Sequence, residues 1–161
     1  MDALEAIRKR RSVRDFTGET IPKEDIEQIV DAGRLAATGY NDQPWDFIVV
    51  TERAMIEELK VASQWMEKAG AIIAVVLDPA SRFWVEDGAA AVENMLIAST
   101  ALGYGSCWLE GYTLPREEEF KKLLGVPEDK RLLTLVPIGV PVEWPTVEKK
   151  LLEEVIHWEQ Y

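Results

Sequence analysis

Five basic residues lie within seven positions near the N-terminus: Arg8, Lys9, Arg10, Arg11 and Arg14. Arg10, Ser12 and Arg14 alternate along the chain, so in an extended segment their three side chains point the same way. Two guanidinium groups and a hydroxyl on one side suit a phosphate or another polar anion. The alternative is that these cations lie at the C-terminal end of a helix, where they stabilise the helix dipole.

Two further segments combine polar groups with glycine and tryptophan. Residues 38–45 (TGYNDQPW) form a polar stretch before an apolar one, and residues 105–111 (GSCWLEG) have a glycine at each end. Glycine lets backbone N–H groups approach a flat ligand closely. The alternatives are an ordinary Asn/Gly turn with proline before a strand, and a strand followed by a tight turn.

The overall composition limits the partners of the protein. The chain has 161 residues, which suits one compact domain. Its 29 acidic residues against 18 basic ones give a net charge of -11, which disfavours nonspecific binding to nucleic acid or anionic membranes. The longest apolar stretch, residues 69–77, is far below the ~20 residues that span a bilayer. We expect a cytoplasmic protein with neither nucleic acid nor a membrane as partner.

Protein nucleophiles and metal centres have little support in the sequence. Cys107 is the only cysteine and His157 the only histidine, so an intrachain disulfide and zinc sites with several thiolates or imidazoles are excluded. A serine or cysteine nucleophile would need His157, which lies among glutamates in the C-terminal tail. Gly103 and Gly105 match only part of a dinucleotide-binding fingerprint, and they follow a predicted helix rather than a strand. We therefore expect no catalytic side chain and no metal ligand.

Hydrophobic periodicity predicts the elements that position these segments. Helices are predicted from Pro22 onward and over residues 3–9, 54–67, 84–102, 115–125 and 147–161. Strands are predicted over residues 45–51, 71–77, 106–109 and 132–139, the second of them buried on both faces. Residues 84–102 are apolar on nearly all sides, which is typical of a central buried helix, and Gly103 stands where a capping glycine would end it. Trp158 and Tyr161, on a charged terminal element, are typical of a surface that another subunit buries.

Taken together, these segments resemble the FMN-dependent nitroreductase family. The resemblance rests on RRSVRDF at residues 10–16, NDQPWDFIVV from residue 41, the long helix before GYGSCWLEG, and VPIGVP followed by VEKKLLEEV. It implies an α+β fold with a central, mostly antiparallel sheet flanked by helices, in an intertwined homodimer. Residues 1–161 would form a single FMN-binding domain, with residues 142–161 as a tail that embraces the partner subunit and with FMN at the subunit interface.

The resemblance also implies which residues bind the phosphate end of FMN. Arg10 and Ser12 would hold the phosphate, and Arg14 would reach the pyrimidine edge and the ribityl chain. Lysines replace the arginine that the family often has in its C-terminal motif, which leaves a weaker point-charge contact. The full set implied here is Arg10, Arg11, Ser12, Arg14, Lys149 and Lys150.

At the flavin ring the resemblance implies residues from both subunits. The N–H group of Glu110 or Gly111 would hydrogen-bond near N5 and O4 of the ring, and Gln64 would contact the pyrimidine edge. The residues that would come from the other subunit are Thr38, Gly39 and Asn41. Those that would lie along the ring are Trp108, Leu109, Glu110 and Gly111.

The implied function is that of an FMN-dependent oxidoreductase. NAD(P)H would reduce the flavin, leave, and be replaced by a nitroaromatic, quinone or similar acceptor in a ping-pong cycle. A cation such as Arg14 near the ring would raise the reduction potential of the flavin. The alternatives are a related flavoprotein reaction, such as reductive dehalogenation or a specialised oxidation, and a flavin-binding dimer without turnover.

Overall fold

The computed structural model describes all residues, 1–161. Its helices are α1 (Ala3–Lys9), α2 (Lys23–Arg34), α3 (Arg53–Leu59), α4 (Trp84–Leu102), α5 (Glu110–Thr113) and α6 (Glu117–Leu124). Its strands are β1 (Trp45–Val50), β2 (Ala71–Leu77), β3 (Gly105–Ser106) and β4 (Arg131–Gly139). No helix is long and apolar enough to cross a membrane.

The four strands form one antiparallel sheet in the order β1-β2-β4-β3. β2 is paired on both sides, with Leu77 opposite Trp45 of β1 and Ala71 opposite Ile138 of β4. Every residue of β2 is buried, which confirms the prediction of a strand covered on both faces. The fold is α+β, as the resemblance implied.

Helices cover both faces of the sheet, because alternate residues of β2 point in opposite directions. On one face Ile72 and Ala74 belong to a core cluster with Phe120 of α6, which also includes residues of α3. On the other face Ile73 packs in a cluster with Met95 of α4 and with residues of α2. The sheet therefore separates two apolar cores.

The long helix α4 has the predicted bounds, and Gly103 ends it with a φ of 93°. It buries one side, which includes Gly88, Val92 and Met95, against the sheet and α2. Val85 and Leu102 are exposed in the single chain. The helix thus lies at the centre of the fold but is covered on one side only.

The helix predicted over residues 54–67 is wrong beyond residue 59. The chain continues through 3-10 turns at Lys60–Ala62 and Gln64–Lys68, separated by an extended Ser63. Buried side chains at residues 59, 62 and 66 keep helical spacing, which explains the prediction. The guanidinium group of Arg53 donates to the carbonyl of Glu67 at 3.0 Å, and this tertiary contact folds the segment back on its own start.

The strand predicted over residues 106–109 is shorter in the structure, since β3 ends at Ser106. The N–H group of Cys107 still donates to the carbonyl of Pro137 at 3.2 Å, and that of Leu109 to the carbonyl of Leu135 at 3.1 Å. Proline has no N–H group with which to return a bond. The pairing beyond Ser106 is therefore one-sided.

The helix predicted over residues 147–161 is also wrong. Only the 3-10 turn Leu152–Glu154 forms there, and every residue from 146 to 161 is exposed. In the single chain the apolar side chains of this tail, Trp158 among them, have no surface to pack on. A short helix without such packing is marginal in water. Coverage of the tail by a partner subunit stays a prediction.

Candidate functional site

Three of the five basic residues near the N-terminus, Arg10, Arg11 and Arg14, line a surface cavity of about 450 Å³. Ser12 lies between them in the same lining, and Lys149 reaches it from the distant C-terminal segment. Four cations therefore face two carboxylates, which makes the cavity positive in a chain of net charge -11. The charged residues of the lining are Arg10, Arg11, Arg14, Lys149, Asp15 and Glu143.

The basic cluster lies on an extended segment after α1. This segment is hydrogen-bonded to β3 and to the chain just after β4. The N–H group of Val13 donates to the carbonyl of Ser106 at 2.9 Å, and that of Thr17 donates to the carbonyl of Val140 at 2.9 Å. The side chains of Val13 and Phe16 are buried in the core. Residues 12 and 14 alternate with Val13 and so face outward, as the spacing predicts.

Two glycines allow this segment to lie close to the sheet. A Cβ atom on Gly105 would stand 2.7 Å from the Cβ of Val13, and one on Gly139 would stand 2.8 Å from the Cδ1 of Phe16. Such distances leave no room for a side chain at either position. Both glycines are therefore needed for the close approach that forms the cavity.

The alternative interpretation of the basic cluster, that its cations cap a helix, holds for Arg11. Its Nη1 donates to the carbonyl of Arg8 at 2.9 Å and to the carbonyl of Arg10 at 2.7 Å. These carbonyls lie in the last turn of α1 and just beyond it. Arg11 borders the cavity, but much of its hydrogen-bonding capacity is directed to the backbone. Its place among the cofactor-binding residues stays a prediction.

Arg10, Arg14 and Lys149 are more available to a ligand. The Nε of Arg10 lies 3.3 Å from Oε1 of Glu93 on α4, so the two terminal nitrogens remain for another acceptor. Arg14 makes only a long contact of 3.5 Å with the carbonyl of Ser12, and neither it nor Lys149 forms an ion pair. The cavity thus contains cations that no carboxylate neutralises.

Cys107 lies close to Ser12 and Arg14, yet it is not a nucleophile. The residue is buried, and this burial raises the pKa of its thiol above the ordinary value. The charge of Arg14 lowers the pKa without reversing that shift. The thiol is therefore protonated at neutral pH and unreactive. The expectation that no protein nucleophile takes part stays a prediction.

The segment after β3 offers backbone donors, although none of its residues lines the cavity. Glu110 and Gly111 are the first two residues of α5, and neither N–H group has an acceptor within the chain. The side chain of Leu109 is buried in the core, and its own N–H group is bonded to the carbonyl of Leu135. Contact of Leu109 with a flavin ring stays a prediction.

Two buried polar atoms in the same region lack hydrogen-bond partners. They are the Oγ of Ser106 and the Nε1 of Trp108. A buried donor or acceptor without a partner costs about 1–3 kcal/mol. Ser106 is bridged to Ser12 at the edge of the cavity, so its Oγ lies near the candidate site, whereas Trp108 packs against the core cluster that includes Met95 of α4. A bound polar molecule or water would satisfy them.

The loop formed by residues 38–43 does not line the cavity of its own chain. It lies at the beginning of α4, where the N–H group of Gly39 donates to Oδ1 of Asp87 at 2.9 Å. Arg10 meets α4 at Glu93, six residues further, or about 9 Å along the helix axis. Contact of Thr38, Gly39 and Asn41 with a site in another subunit stays a prediction.

Gln64 and Lys150 are also outside the lining. Gln64 is exposed at the start of a 3-10 turn, beside Trp65, whose ring lies 6.0 Å from that of Phe16. Lys150 is exposed next to Lys149 in the C-terminal segment. The structure therefore does not bring either side chain to the cavity, and their roles stay predictions.

Sequence reasoning missed two carboxylates that shape the site. Glu93, the partner of Arg10, is the only charged residue between Gly88 and Leu102. A single carboxylate in an apolar helix is a signal that could have identified it. Glu143 lines the cavity from the loop after β4, and no pattern in the sequence distinguishes it.

The chain is similar to known proteins over nearly its whole length. The family model described as the Nitroreductase family matches residues 7–81 and 57–140. A protein from Archaeoglobus fulgidus, provisionally named an NADH dehydrogenase/NAD(P)H nitroreductase, is 42% identical over 151 residues. That match covers 87% of this chain and 86% of the relative.

Solved structures agree with this similarity. A protein from Bacteroides thetaiotaomicron with the same provisional name has a TM-score of 0.91 and 33% identity, covering 99% of this chain and 98% of the other. A nitroreductase with bound FMN from Bacteroides fragilis has a TM-score of 0.77 and 30% identity, covering 94% and 95% of the two chains. Both sequence and fold therefore point to one family.

Proposed function

The chain belongs to the nitroreductase family, and we propose that it is an FMN-dependent oxidoreductase in which NAD(P)H provides electrons to a nitroaromatic, quinone or similar acceptor. One observation of the structure carries the proposal: the cavity that unites Arg10, Ser12, Arg14 and Lys149 in an acidic protein. The names of two relatives support it, since one is a provisional NAD(P)H nitroreductase and the other holds FMN.

The cavity fits the phosphate end of FMN. A phosphate monoester carries close to two negative charges at neutral pH and three strong acceptor oxygens. Arg10 offers its two terminal nitrogens, Ser12 a hydroxyl and Lys149 a point charge. Glu93 fixes Arg10 through Nε, which leaves the fork of its guanidinium group for the phosphate.

The neighbouring segment fits the flavin ring. The N–H groups of Glu110 and Gly111 have no acceptor within the chain and would donate to the ring edge. The unsatisfied Oγ of Ser106 and Nε1 of Trp108 lie in the same segment, which suits a polar ligand. When bound, FMN supplies the chemistry of accepting a hydride from NAD(P)H and reducing a second substrate.

The residues of the chain would control this chemistry by electrostatics and access. Arg14 places a cation without a carboxylate partner beside the cavity, and such a cation raises the reduction potential of a bound flavin. The protonated Cys107 stays inert, and no other side chain is needed as a nucleophile. The two substrates would use the same open face in turn, which is a ping-pong mechanism.

We infer that a second copy of the chain completes the site. Loop residues Thr38, Gly39 and Asn41 do not reach the cavity of their own chain, so their predicted ring contacts need another subunit. Apolar side chains stay exposed on the single chain, including Leu4 and Ile7 on α1. The exposed tail at residues 146–161 would embrace that copy.

The visible absorption spectrum of the purified protein tests the proposal. We expect a yellow protein that binds one FMN per chain and loses its absorption at about 450 nm when NADH or NADPH is added without oxygen. Steady-state kinetics with a nitroaromatic and with a quinone should give parallel reciprocal plots. A colourless protein that does not take up added FMN would refute the proposal.

The same measurements separate the alternatives. Rapid bleaching by NAD(P)H, followed by turnover only with a halogenated acceptor, would indicate reductive dehalogenation. Bound flavin that no acceptor reoxidises at a useful rate would indicate a flavin-binding dimer without turnover. Size-exclusion chromatography with light scattering tests the second copy, for which we expect twice the mass of one chain.

A further inference from the structure

The loop formed by residues 38–43 has an unusual backbone. Tyr40, Asn41 and Gln43 have φ values of 55°, 61° and 48°. These values lie in the left-handed region, which residues other than glycine rarely adopt. Such conformations persist only where the surrounding structure holds them, and they cluster at functional sites. Hydrogen bonds within the loop, from the N–H group of Asn41 to the carbonyl of Thr38 at 3.2 Å and from that of Asp42 to the carbonyl of Gly39 at 3.1 Å, shape its backbone. Contacts with the rest of the chain must then set its position.

Few contacts connect this loop to the rest of the chain. The hydroxyl of Ser81 donates to Asp42 at 3.1 Å, but both residues lie at the surface. Gly39 packs so closely on Phe83 that a Cβ atom on the glycine would lie 2.3 Å from the ring. The N–H group of Gly39 donates to Oδ1 of Asp87 at 2.9 Å, and this is the hydrogen bond that ties the loop to a buried residue.

The environment of Asp87 is unusual for a residue with a purely structural role. Its side chain, on the first turn of α4, is buried with the residue only 4% exposed. Its Oδ1 binds Gly39, whereas its Oδ2 is buried without any partner. A buried carboxylate with so few hydrogen bonds contributes little net stability, because its desolvation is poorly compensated. The contact with Gly39 therefore matters more for geometry than for folding.

We propose that Asp87 is a positioning residue for the flavin site. By holding the N–H group of Gly39, it fixes residues 38–43 in the left-handed conformation in which Thr38 and Asn41 contact the cofactor. This inference rests on the proposed function, because the cofactor is the flavin bound in the cavity of a second copy. Asp87 itself acts only through the loop.

Three variants of the full-length protein test this role. Asp87→Ala removes the acceptor, whereas Asp87→Asn keeps an amide oxygen that accepts the same hydrogen bond. Glu86→Ala is the matched control, since Glu86 is an exposed carboxylate on the same turn of α4. Hydrogen–deuterium exchange of the peptide covering residues 37–44 reports the loop without FMN. Fluorescence titration with FMN and circular dichroism of the bound flavin in the visible range report the site.

We expect Asp87→Ala to accelerate exchange in this peptide and to weaken FMN binding by about 5-fold, because FMN must then order a loop that has lost one hydrogen bond. Its visible circular dichroism should also change, because the ring environment changes. Asp87→Asn should retain most of the affinity and the wild-type spectrum. Glu86→Ala should behave as the wild type in all three measurements.

Several outcomes would overturn the inference. Unchanged exchange in Asp87→Ala would show that Asp87 does not hold the loop, and faster exchange with unchanged FMN affinity would show that the loop does not serve the site. An equal loss of FMN affinity in Asp87→Asn and Asp87→Ala would also contradict the inference, because Asp87→Asn keeps the acceptor. If Asp87→Ala does not fold, Asp87→Leu, which also lacks the acceptor but keeps a side chain of similar size, should give the same two effects. Failure of the wild-type protein to bind FMN would refute the proposed function. The exchange data would still test whether Asp87 holds the loop formed by residues 38–43.

Discussion

Replacement of Arg10 by alanine should weaken FMN binding by about 10- to 100-fold. The side chain of Arg10 is 19% exposed, so water screens its interactions only partly. Hydrogen bonds to charged groups contribute about 1.5–3 kcal/mol each, and every 1.4 kcal/mol changes a dissociation constant 10-fold. Loss of one such contact with the phosphate gives the expected range. Arg10→Lys keeps the charge but not the fork, so it should lose less.

Arg11 provides a matched control for this experiment. It lies in the same cluster and has the same charge, but its guanidinium group binds the carbonyls of Arg8 and Arg10. Arg11→Ala should therefore change FMN affinity by less than about 5-fold, since a surface charge whose guanidinium group is partly engaged with the backbone contributes at most ~1 kcal/mol. It should instead lower the stability of α1, whose C-terminal carbonyls lose their donor.

The assay is a titration of flavin-free protein with FMN, followed by quenching of flavin fluorescence. Wild-type protein, Arg10→Ala, Arg10→Lys and Arg11→Ala are compared at the same ionic strength, because salt screens exposed charges. Equal losses in the Arg10 and Arg11 variants would show that FMN senses only the total charge of the cluster. An Arg10→Ala affinity within 3-fold of the wild type would refute the assignment of the phosphate site.

Three further perturbations have defined outcomes. Glu117→Ala should lower the free energy of unfolding by about 1–3 kcal/mol in urea titrations, because the buried carboxylate accepts from Arg131 at 2.7 and 2.8 Å and from the N–H group of Leu132 at 2.9 Å, whereas Arg131 itself is partly exposed. Arg131 also lowers the pKa of Glu117 below 4.5, so this stabilisation is present above pH 4.5 and lost as the pH falls through the lowered pKa. Gly105→Ala should displace Val13 and cost about 1–3 kcal/mol, with weaker FMN binding in the same titration. Deletion of residues 147–161 should leave the secondary structure intact by circular dichroism, since these residues are exposed, but should reduce the mass in light scattering to that of one chain.

For each of these perturbations, one result would contradict the expected outcome. Glu118→Ala is the control for Glu117, and an equal loss of stability in both would place the effect outside the Arg131 pair. For Gly105→Ala, unchanged stability and affinity would show that the segment after α1 accommodates a methyl group. A tail deletion that remains dimeric would show that other surfaces, such as the exposed side of α1, hold the subunits together.

The elements that the sequence predicted correctly are those whose pattern is local. β2 is a continuous run of apolar residues, and α4 combines apolar composition with Gly103 at its end, so neither depends on knowledge of distant contacts. The helix predicted over residues 54–67 fails for the opposite reason. The guanidinium group of Arg53 holds that conformation through the carbonyls of Glu67 and Ala69, and nothing in the spacing of apolar residues encodes these bonds.

The same distinction between local patterns and distant contacts applies to the residues of the candidate site. The alternation of Arg10, Ser12 and Arg14 is local, and their outward orientation follows from it. Lys149 joins the cavity through the path of the chain after β4, which the resemblance implied but periodicity did not. The pairing of Arg10 with Glu93 depends on the position of α1 against α4, so no linear pattern contains it.

The net charge of the protein and the charge of its cavity act over different distances. At physiological ionic strength the Debye length is about 8 Å, so most of the acidic surface is screened from a ligand inside the cavity. The lining cations would contact that ligand directly, and the guanidinium forks of Arg10 and Arg14 suit a compact dianion such as a phosphate monoester. A nucleic acid would have to extend over the acidic surface as well, where each further phosphate meets repulsion. A net charge of -11 is therefore compatible with the proposed site for a small anion, while it disfavours polyanions.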